Sequence, residues 1–138
     1  MESTRFLLDA SAIYSLLTGL GHRVLDFVDM FSVLDLTVYE VGNAIWKNYM
    51  RGRIANIGVV VEFFEEFLSM LKRFSIGNEI EEVLRIAIEN NLTFYDSAYL
   101  YTARKNQLKL VTEDQELLRF PETLNVKTLL KELAKKST

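Results

Sequence analysis

Short apolar runs alternate with longer amphipathic segments along the chain, and this alternation limits the possible folds more than any other feature. The segments RFLLD, SVLDLT, KLVTED and the start of NVKTLLKELAKK each contain a run with the length and composition of a buried strand. The stretches between them show the spacing of helices. This order predicts an α/β fold with a mostly parallel sheet of about four or five strands and helices on both faces.

The helical stretches can be given boundaries. Residues 22–31 predict one helix, with a face formed by Val24, Leu25, Val28 and Phe31. In TVYEVGNAIWKNYMRGRI we expect a helix with Glu40 in its first turn and one side formed by Val41, Ala44, Ile45 and Tyr49. A longer apolar helix is expected to begin near Asn56 and to run through IGVVVEFFEEFLSMLKRFSI. Two further helices are expected on either side of Asn90 and Asn91.

Composition excludes several classes of site. The 138 residues include no cysteine and one histidine, so disulfides and the usual Cys/His zinc sites are excluded. No apolar run reaches the ~18 residues of a membrane span, and the N-terminus does not resemble a signal peptide. The net charge of −3 argues mildly against binding nucleic acid through bulk positive charge. We expect one domain over residues 1–138 and a cytoplasmic protein.

Four acidic residues lie where strands end or helices begin. Asp9 follows FLL, Asp114 follows LVTE, and Glu40 and Asp96 open the helical stretches of TVYEVGN and TFYDSAY. Each acid alone is explained well by helix capping or by the helix dipole. In a parallel sheet, however, ligands bind beyond the carboxyl ends of the strands, where all four side chains can meet.

Carboxylates gathered in this way repel one another. Two unit charges ~4 Å apart repel by about 4 kcal/mol at an effective dielectric near 20. A cation, or proton uptake, would relieve this repulsion. Oxygen ligands without cysteine or histidine favour Mg²⁺ or Mn²⁺. The chemistry that such a site favours is metal-assisted hydrolysis of a phosphodiester bond.

The motifs LLDAS, YEVGNAI, YDSAYLYTA and LVTED, in this order, resemble a PIN domain, the nuclease fold of VapC toxins. The resemblance spans Phe6 to about Leu130 and implies a three-layer α/β/α fold. It implies a metal-dependent endoribonuclease, the toxin of a type II toxin–antitoxin pair. The implied catalytic residues are Asp9, Glu40, Asp96 and Asp114.

The resemblance also implies a role for each residue. Asp9, Asp96 and Asp114 would hold Mg²⁺ or Mn²⁺, and Glu40 would be either a ligand or the base that positions water. The residues that would support them are Ser11, Asn43, Thr112 and Glu113. For Ser11, orienting a water and capping the helix remain equal alternatives.

The resemblance also implies binding partners. RNA is the implied substrate, and Arg51 and Arg53 are candidates for phosphate contact, although solvated helix faces explain them almost equally well. The apolar helix containing VVVEFFEEFLSMLKRF is expected to bind a small VapB-like antitoxin and to contribute to a homodimer. Four aromatic residues are assigned to the core or to an interface: Trp46, Tyr49, Tyr99 and Tyr101.

Other functions are compatible with parts of this pattern. A PIN nuclease of RNA processing or quality control would share the same site, and a catalytically silent PIN-like binding module would keep its fold. A haloacid dehalogenase-type phosphatase has an Asp two residues after the first acid, where this chain has Ser11. A receiver domain has an adjacent acid pair near the first strand and a late lysine at a strand end, and this chain has neither.

Overall fold

A computed structural model describes residues 4–136, and the centre of this region is a five-stranded sheet. The strands are β1 (Phe6–Leu8), β2 (Phe31–Leu34), β3 (Lys72–Phe74), β4 (Lys109–Val111) and β5 (Thr123–Leu124). Their order is β3-β2-β1-β4-β5, and every neighbouring pair is parallel. The expected α/β fold with a parallel sheet is confirmed.

Helices cover both faces of the sheet. They are α1 (Ala10–Leu20), α2 (Asp35–Met50), α3 (Ile57–Ser69), α4 (Ile80–Asn90), α5 (Phe94–Asn106), α6 (Gln115–Leu118) and α7 (Val126–Lys136). Within β1, Phe6 and Leu8 point into a core shared with α1, α2, α3 and α7, whereas Leu7 points into a second core shared with α4 and α5. Side chains alternate between the two faces of a strand, so the three residues of β1 contribute to both cores. The expected three-layer arrangement is confirmed.

The chain order places a crevice beside β1. From β1 the chain builds outward through β2 to β3, and it then returns to add β4 and β5 on the other side. Ligands of such sheets bind where the direction of building reverses, outside the carboxyl ends of the strands. Asp9 follows β1 directly, and Thr112 to Asp114 follow β4.

The prediction of one helix over residues 22–31, with Phe31 on its apolar face, is wrong. Residues Gly21–Met30 form a 3-10 helix, and Phe31 is the first residue of β2 rather than a member of a helical face. Val24 is buried, but Leu25 and Val28 are only partly buried. The ring of Phe31 packs against that of Phe6 across the paired strands, and this strand pairing outweighs the local helical pattern.

The long apolar helix is also shorter than expected. It begins at Ile57 with Asn56 as its cap, but it ends at Ser69, and Lys72–Phe74 pair with β2 as an edge strand. This strand was missed because only three residues form it and two of them are charged. Charged side chains are common on edge strands, where they discourage pairing with other chains.

Two smaller corrections concern α2 and β5. Glu40 is the sixth residue of α2, not a first-turn residue, because the helix begins at Asp35 after a strand that ends at Leu34. Tyr49 is 48% exposed, so the expected side of α2 is buried at Val41 and Ile45 but not at its end. The last strand is Thr123–Leu124, one residue before the NVKTLL segment in which it was expected.

The break between α4 and α5 is confirmed. Asn91 ends α4 in the left-handed conformation, with φ of 53°, and Thr93 caps α5. Among the helices of residues 4–136, none combines the length and the apolar character that crossing a membrane requires.

Candidate functional site

Asp9 is the most firmly held of the four acids. It is 8% exposed, and its Oδ1 accepts hydrogen bonds from Ala12 N at 2.9 Å and from Ser11 Oγ at 2.7 Å. The Thr112 side chain also hydrogen-bonds this carboxylate. Asp9 therefore caps α1 and at the same time faces the crevice beside β1.

Two hydroxyl groups connect Asp9 to the loop after β4. Ser11 Oγ accepts a hydrogen bond from Glu113 N at 3.0 Å, and Thr112 Oγ1 accepts one from Asp114 N at 3.0 Å. Each hydroxyl can then donate its own proton to the Asp9 carboxylate. This explains physically why a Thr two residues before Asp114, and a Ser two residues after Asp9, suit this site.

Glu40 is positioned by a chain of buried hydrogen bonds. Its Oε1 accepts a hydrogen bond from the Tyr99 hydroxyl. The Tyr99 hydroxyl lies 2.7 Å from Thr37 Oγ1, which in turn accepts a hydrogen bond from Leu34 N at 3.1 Å. Tyr99 is 1% exposed and Thr37 is fully buried. The end of β2 thus determines the position of Glu40 through two side chains.

Asp96 and Asp114 lie at helix starts and are partly buried. Asp96 is in the first turn of α5, where its backbone N donates to the Thr93 hydroxyl at 3.1 Å. Asp114 caps α6, and its Oδ1 accepts a hydrogen bond from Glu116 N at 2.9 Å. The capping roles expected for single acids are therefore present, and they coexist with a shared position at one edge of the sheet.

The acids act on one another electrostatically. Burial is the largest cause of a raised pKa at Asp9, Glu40 and Asp96. The charge of Asp114 raises the pKa of Asp9 and of Asp96, and the charges of Asp9 and Asp96 raise that of Glu40. Hydrogen bonds from Thr112, Ser11 and Tyr99 oppose these shifts. The structure therefore brings all four acids within interaction range.

A tight chelating pocket is not formed by these side chains as they are placed. Within residues 4–136, no three Asp, Glu, His or Cys side chains converge closely enough to hold one metal ion. The donors themselves suit a hard divalent cation, since they are carboxylate oxygens whose charges repel one another. The residues thus match such an ion in chemistry.

The expected supporting residues differ in position. Ser11 and Thr112 contact Asp9, as described above. Glu113 Oε1 accepts a hydrogen bond from Val126 N at 2.9 Å, so its carboxylate is directed to the start of α7. Asn43 is exposed on α2, three residues after Glu40.

Arg51 and Arg53 lie away from the acids. Arg51 follows the last residue of α2 and lies eleven residues after Glu40, which is about 16 Å along the helix axis. Arg53 follows it, and its guanidinium Nη1 lies 3.4 Å from Asn48 Oδ1. The backbone of both arginines is therefore well away from Glu40 along α2.

Three residues of the site were missed or assigned another role by sequence reasoning. Tyr99 was assigned to the core or an interface, and Thr37 and Thr93 were not singled out. The signal was helical spacing, because Thr37 precedes Glu40 by three residues, Thr93 precedes Asp96 by three, and Tyr99 follows Asp96 by three. Residues three apart on a helix are neighbours on its surface.

A groove lies where the partner surface was expected. Phe64, Phe67 and Leu68 of α3 are in the core, so much of the apolar character of this helix is internal. At the edge of this core, residues of α1, α2 and α3 line a cavity of about 350 Å³, and an adjoining one of about 290 Å³ lies against His22. Phe63 contributes to both cavities.

Comparison with known proteins gives a consistent result. No family model matches the chain. A protein named Exonuclease VapC9, from Pyrobaculum aerophilum, is 39% identical over 134 residues, which are 94% of this chain and 96% of the relative. Ribonuclease VapC3 of the same organism is 32% identical over 125 residues, which are 85% of this chain and 95% of the relative.

Solved structures agree with these relatives. The crystal structure of PAE2754 from Pyrobaculum aerophilum matches with a TM-score of 0.87 and 37% identity, covering 97% of this chain and 99% of that one. A toxin–antitoxin complex from Klebsiella pneumoniae shares the fold, with a TM-score of 0.60, 18% identity and coverage of 86% and 94%. Because both named relatives are matched over nearly their whole length, this chain belongs to the VapC family of PIN-domain ribonucleases.

Proposed function

We propose that the protein is an endoribonuclease that depends on Mg²⁺ or Mn²⁺ and acts in the cytoplasm as the toxin of a type II toxin–antitoxin pair. The observation that carries the proposal is the set of four carboxylates, Asp9, Glu40, Asp96 and Asp114, which interact at the crevice beside β1. Family membership supports the reaction class, and the carboxylate donors support the cofactor.

In this proposal Asp9, Asp96 and Asp114 hold the cation. A bound divalent ion would polarise a phosphoryl oxygen and lower the pKa of a bound water. Ser11 and Thr112 keep the Asp9 carboxylate oriented by donating hydrogen bonds to it. Tyr99 does the same for Glu40, which is placed either to bind the ion or to accept a proton from water.

A second candidate function is exonuclease activity. It is favoured by the relative that is 39% identical, which is named Exonuclease VapC9. The same carboxylates would serve either mode of cutting, because the chemistry at the phosphodiester bond is shared. The distinction lies in whether the substrate needs a free end.

An antitoxin and a second copy of the chain are the proposed protein partners. The groove beside Phe63 supports the antitoxin proposal, since exposed apolar surfaces of this kind are typical of protein interfaces. Trp46 and Tyr49 of α2 are also exposed and extend the apolar surface available to partners.

The test uses single-stranded RNA in linear and circular forms. The purified protein is incubated with each RNA in Mg²⁺, in Mn²⁺ and in EDTA, beside an Asp9→Asn variant. We expect both forms to be cut with either metal, no cutting in EDTA, and a loss of about 10²–10³-fold in Asp9→Asn. Cutting of linear RNA alone would favour the exonuclease.

A matched control separates the site from general surface charge. Asp26 is exposed in the 3-10 helix, so Asp26→Asn changes the net charge as Asp9→Asn does. We expect Asp26→Asn to cut RNA at the rate of the wild type. Cleavage that continues in EDTA, or at full rate in Asp9→Asn, would overturn the metal-carboxylate proposal.

A further inference from the structure

We infer that the cleft between α1 and α7 is a binding subsite for the RNA strand beside the bond that is cut. The inference rests on the proposed ribonuclease function. The cleft is an open groove of about 860 Å³, and its walls come from α1, from most of the length of α7 and from the loop after β4. That volume is within the range of pockets that hold small ligands, so it can hold a nucleotide.

The cleft is continuous with the carboxylates. Ser11 and Glu113 both line it. Ser11 donates a hydrogen bond to Asp9 and accepts one from Glu113 N, so these two residues form the border between the cleft and the acids. A strand whose phosphate lies at Asp9 would therefore pass directly into this cleft.

Two lysines give the cleft the charge that a nucleic-acid strand requires. Lys127 and Lys131 are exposed, line the cleft, and stand four residues apart on α7, which places them on the same face of the helix. Within residues 4–136 neither lysine forms an ion pair. In a chain with a net charge of −3, this positive pair beside the acids is a distinct local feature.

The one acid of the cleft is already engaged. Glu113 Oε1 accepts a hydrogen bond from Val126 N, which holds that carboxylate against the start of α7. The facing wall is formed by α1, where Ser15 offers a hydroxyl. Tyr14 also lines the cleft, but its ring packs against that of Phe64, with the centroids 5.0 Å apart. Lysines on one wall and a hydroxyl on the other are groups that bind the phosphates and sugars of a nucleic-acid strand.

The test removes the positive pair and measures RNA binding and cleavage together. Binding of a short fluorescent single-stranded RNA of mixed sequence is measured in the Asp9→Asn background, with and without Lys127→Ala and Lys131→Ala, over a series of salt concentrations. We expect the Kd to rise about tenfold and the slope of log Kd against log salt to fall by about 1.4, which corresponds to two lost phosphate contacts. In the active enzyme, the two substitutions together should raise KM for RNA with little change in kcat.

The chain provides a matched control at the opposite edge of the sheet. Lys72 and Lys109 are the first residues of β3 and β4, so they lie at the amino ends of the strands, away from the acids. The Lys72→Ala and Lys109→Ala pair removes the same charge, and we expect the Kd and the salt slope to stay within twofold of their starting values. An equal loss of RNA affinity in the two double variants would overturn the subsite, because it would show a general effect of charge.

A steric variant tests the cleft without changing charge. Ser15→Phe places a ring in the space between the two helices, and circular dichroism and the melting temperature confirm that it folds. We expect a higher Kd for RNA with an unchanged salt slope. If the wild type cuts RNA but neither the lysine pair nor Ser15→Phe weakens binding, the subsite is overturned and the ribonuclease proposal stands. If the wild type neither binds nor cuts RNA, the proposed function itself is overturned.

Discussion

Two tyrosines on α5, two residues apart, each donate a hydrogen bond to a glutamate, and the pKa values of the two glutamates are shifted in opposite directions. Tyr99 donates to Glu40, and Tyr101 donates to Glu79. Lys105 also contacts Glu79, with Nζ 2.7 Å from Oε1, and these contacts lower the pKa of Glu79. Burial and the charges of Asp9 and Asp96 raise the pKa of Glu40, although the Tyr99 hydroxyl opposes the shift.

The difference shows what a hydroxyl can and cannot do for a carboxylate. A hydrogen bond from tyrosine orients the carboxylate in both pairs and acts to lower its pKa, but the pKa is lowered overall only at Glu79, which also has a cation beside it. Glu79 has its cation within the chain, on the same helix as its tyrosine. Glu40 faces other acids, so a bound divalent ion would do for Glu40 what Lys105 does for Glu79.

The largest expected effect comes from neutralising Glu40. Glu40→Gln should lower RNA cleavage by about 10²-fold or more, since the group that binds the ion or accepts the proton is lost. The same change should raise the melting temperature by about 2 °C, because it removes a carboxylate whose charge is disfavoured in the folded state, and solvent screening of a half-buried group limits the gain. Both quantities are measured on the same preparations.

Glu79→Gln is the matched control. It removes the ion pair with Lys105, so we expect a slightly lower melting temperature and wild-type cleavage. Opposite signs for the two changes in melting temperature would support the contrast between Glu40 and Glu79. A loss of activity in Glu79→Gln equal to that in Glu40→Gln would show that the two pairs are not functionally distinct.

Removing each tyrosine hydroxyl should have a smaller effect. Tyr99→Phe leaves the buried Thr37 hydroxyl with one partner fewer and frees Glu40 to rotate, so we expect a loss of about 1–3 kcal/mol in stability. Cleavage should fall about tenfold in kcat, and the acid side of its pH profile should move to higher pH, because the hydrogen bond that lowers the pKa of Glu40 is gone. Chemical denaturation and a pH–rate series measure these effects.

Tyr101→Phe is the corresponding change in the other pair. Glu79 keeps its contact with Lys105, so stability and the pH profile should stay those of the wild type. If Tyr101→Phe moved the profile as Tyr99→Phe does, the shift would come from α5 as a whole and not from the contact with Glu40.

The sequence was sufficient for the α/β order and for the positions of Asp9, Asp96 and Asp114 at helix starts, for a definite physical reason. Strand-to-helix junctions such as FLLDAS combine an apolar run with a capping residue, and both signals are local. Parallel pairing then places the junctions at one edge of the sheet. The contact of Tyr99 with Glu40 links residues 59 apart in sequence, and a local pattern contains no information on which helices face each other.

The wrong predictions of secondary structure also come from contacts between residues that are distant in sequence. Lys72–Phe74 became a strand because β2 offered an edge on which to pair, and the residues themselves show little strand character. Phe31 left its expected helical face because it pairs beside Phe6. Tertiary contacts outweigh local preference most easily in short elements, where few residues express the preference.

The smallest expected effect concerns the pH dependence of stability at Asp96. Burial and the charges of Asp114 and Asp9 raise its pKa above 3.8, so the folded state binds the proton more tightly than the unfolded state does. Asp96 therefore favours folding below its unfolded pKa, and that contribution is lost as pH rises through the folded pKa. In EDTA, Asp96→Asn should melt about 2 °C above the wild type near pH 7.5, and the difference should shrink toward about pH 4.

Glu79→Gln again supplies the opposite case, since the pKa of Glu79 is lowered and its ionised form favours folding. The melting temperature of Glu79→Gln should therefore be below that of the wild type near neutral pH, and this difference should shrink on acidification. Adding Mg²⁺ near neutral pH should raise the melting temperature of the wild type more than that of Asp96→Asn, because a ligand that binds only the folded state stabilises it. A difference between Asp96→Asn and the wild type that is independent of both pH and Mg²⁺ would show that repulsion among the acids is not its cause.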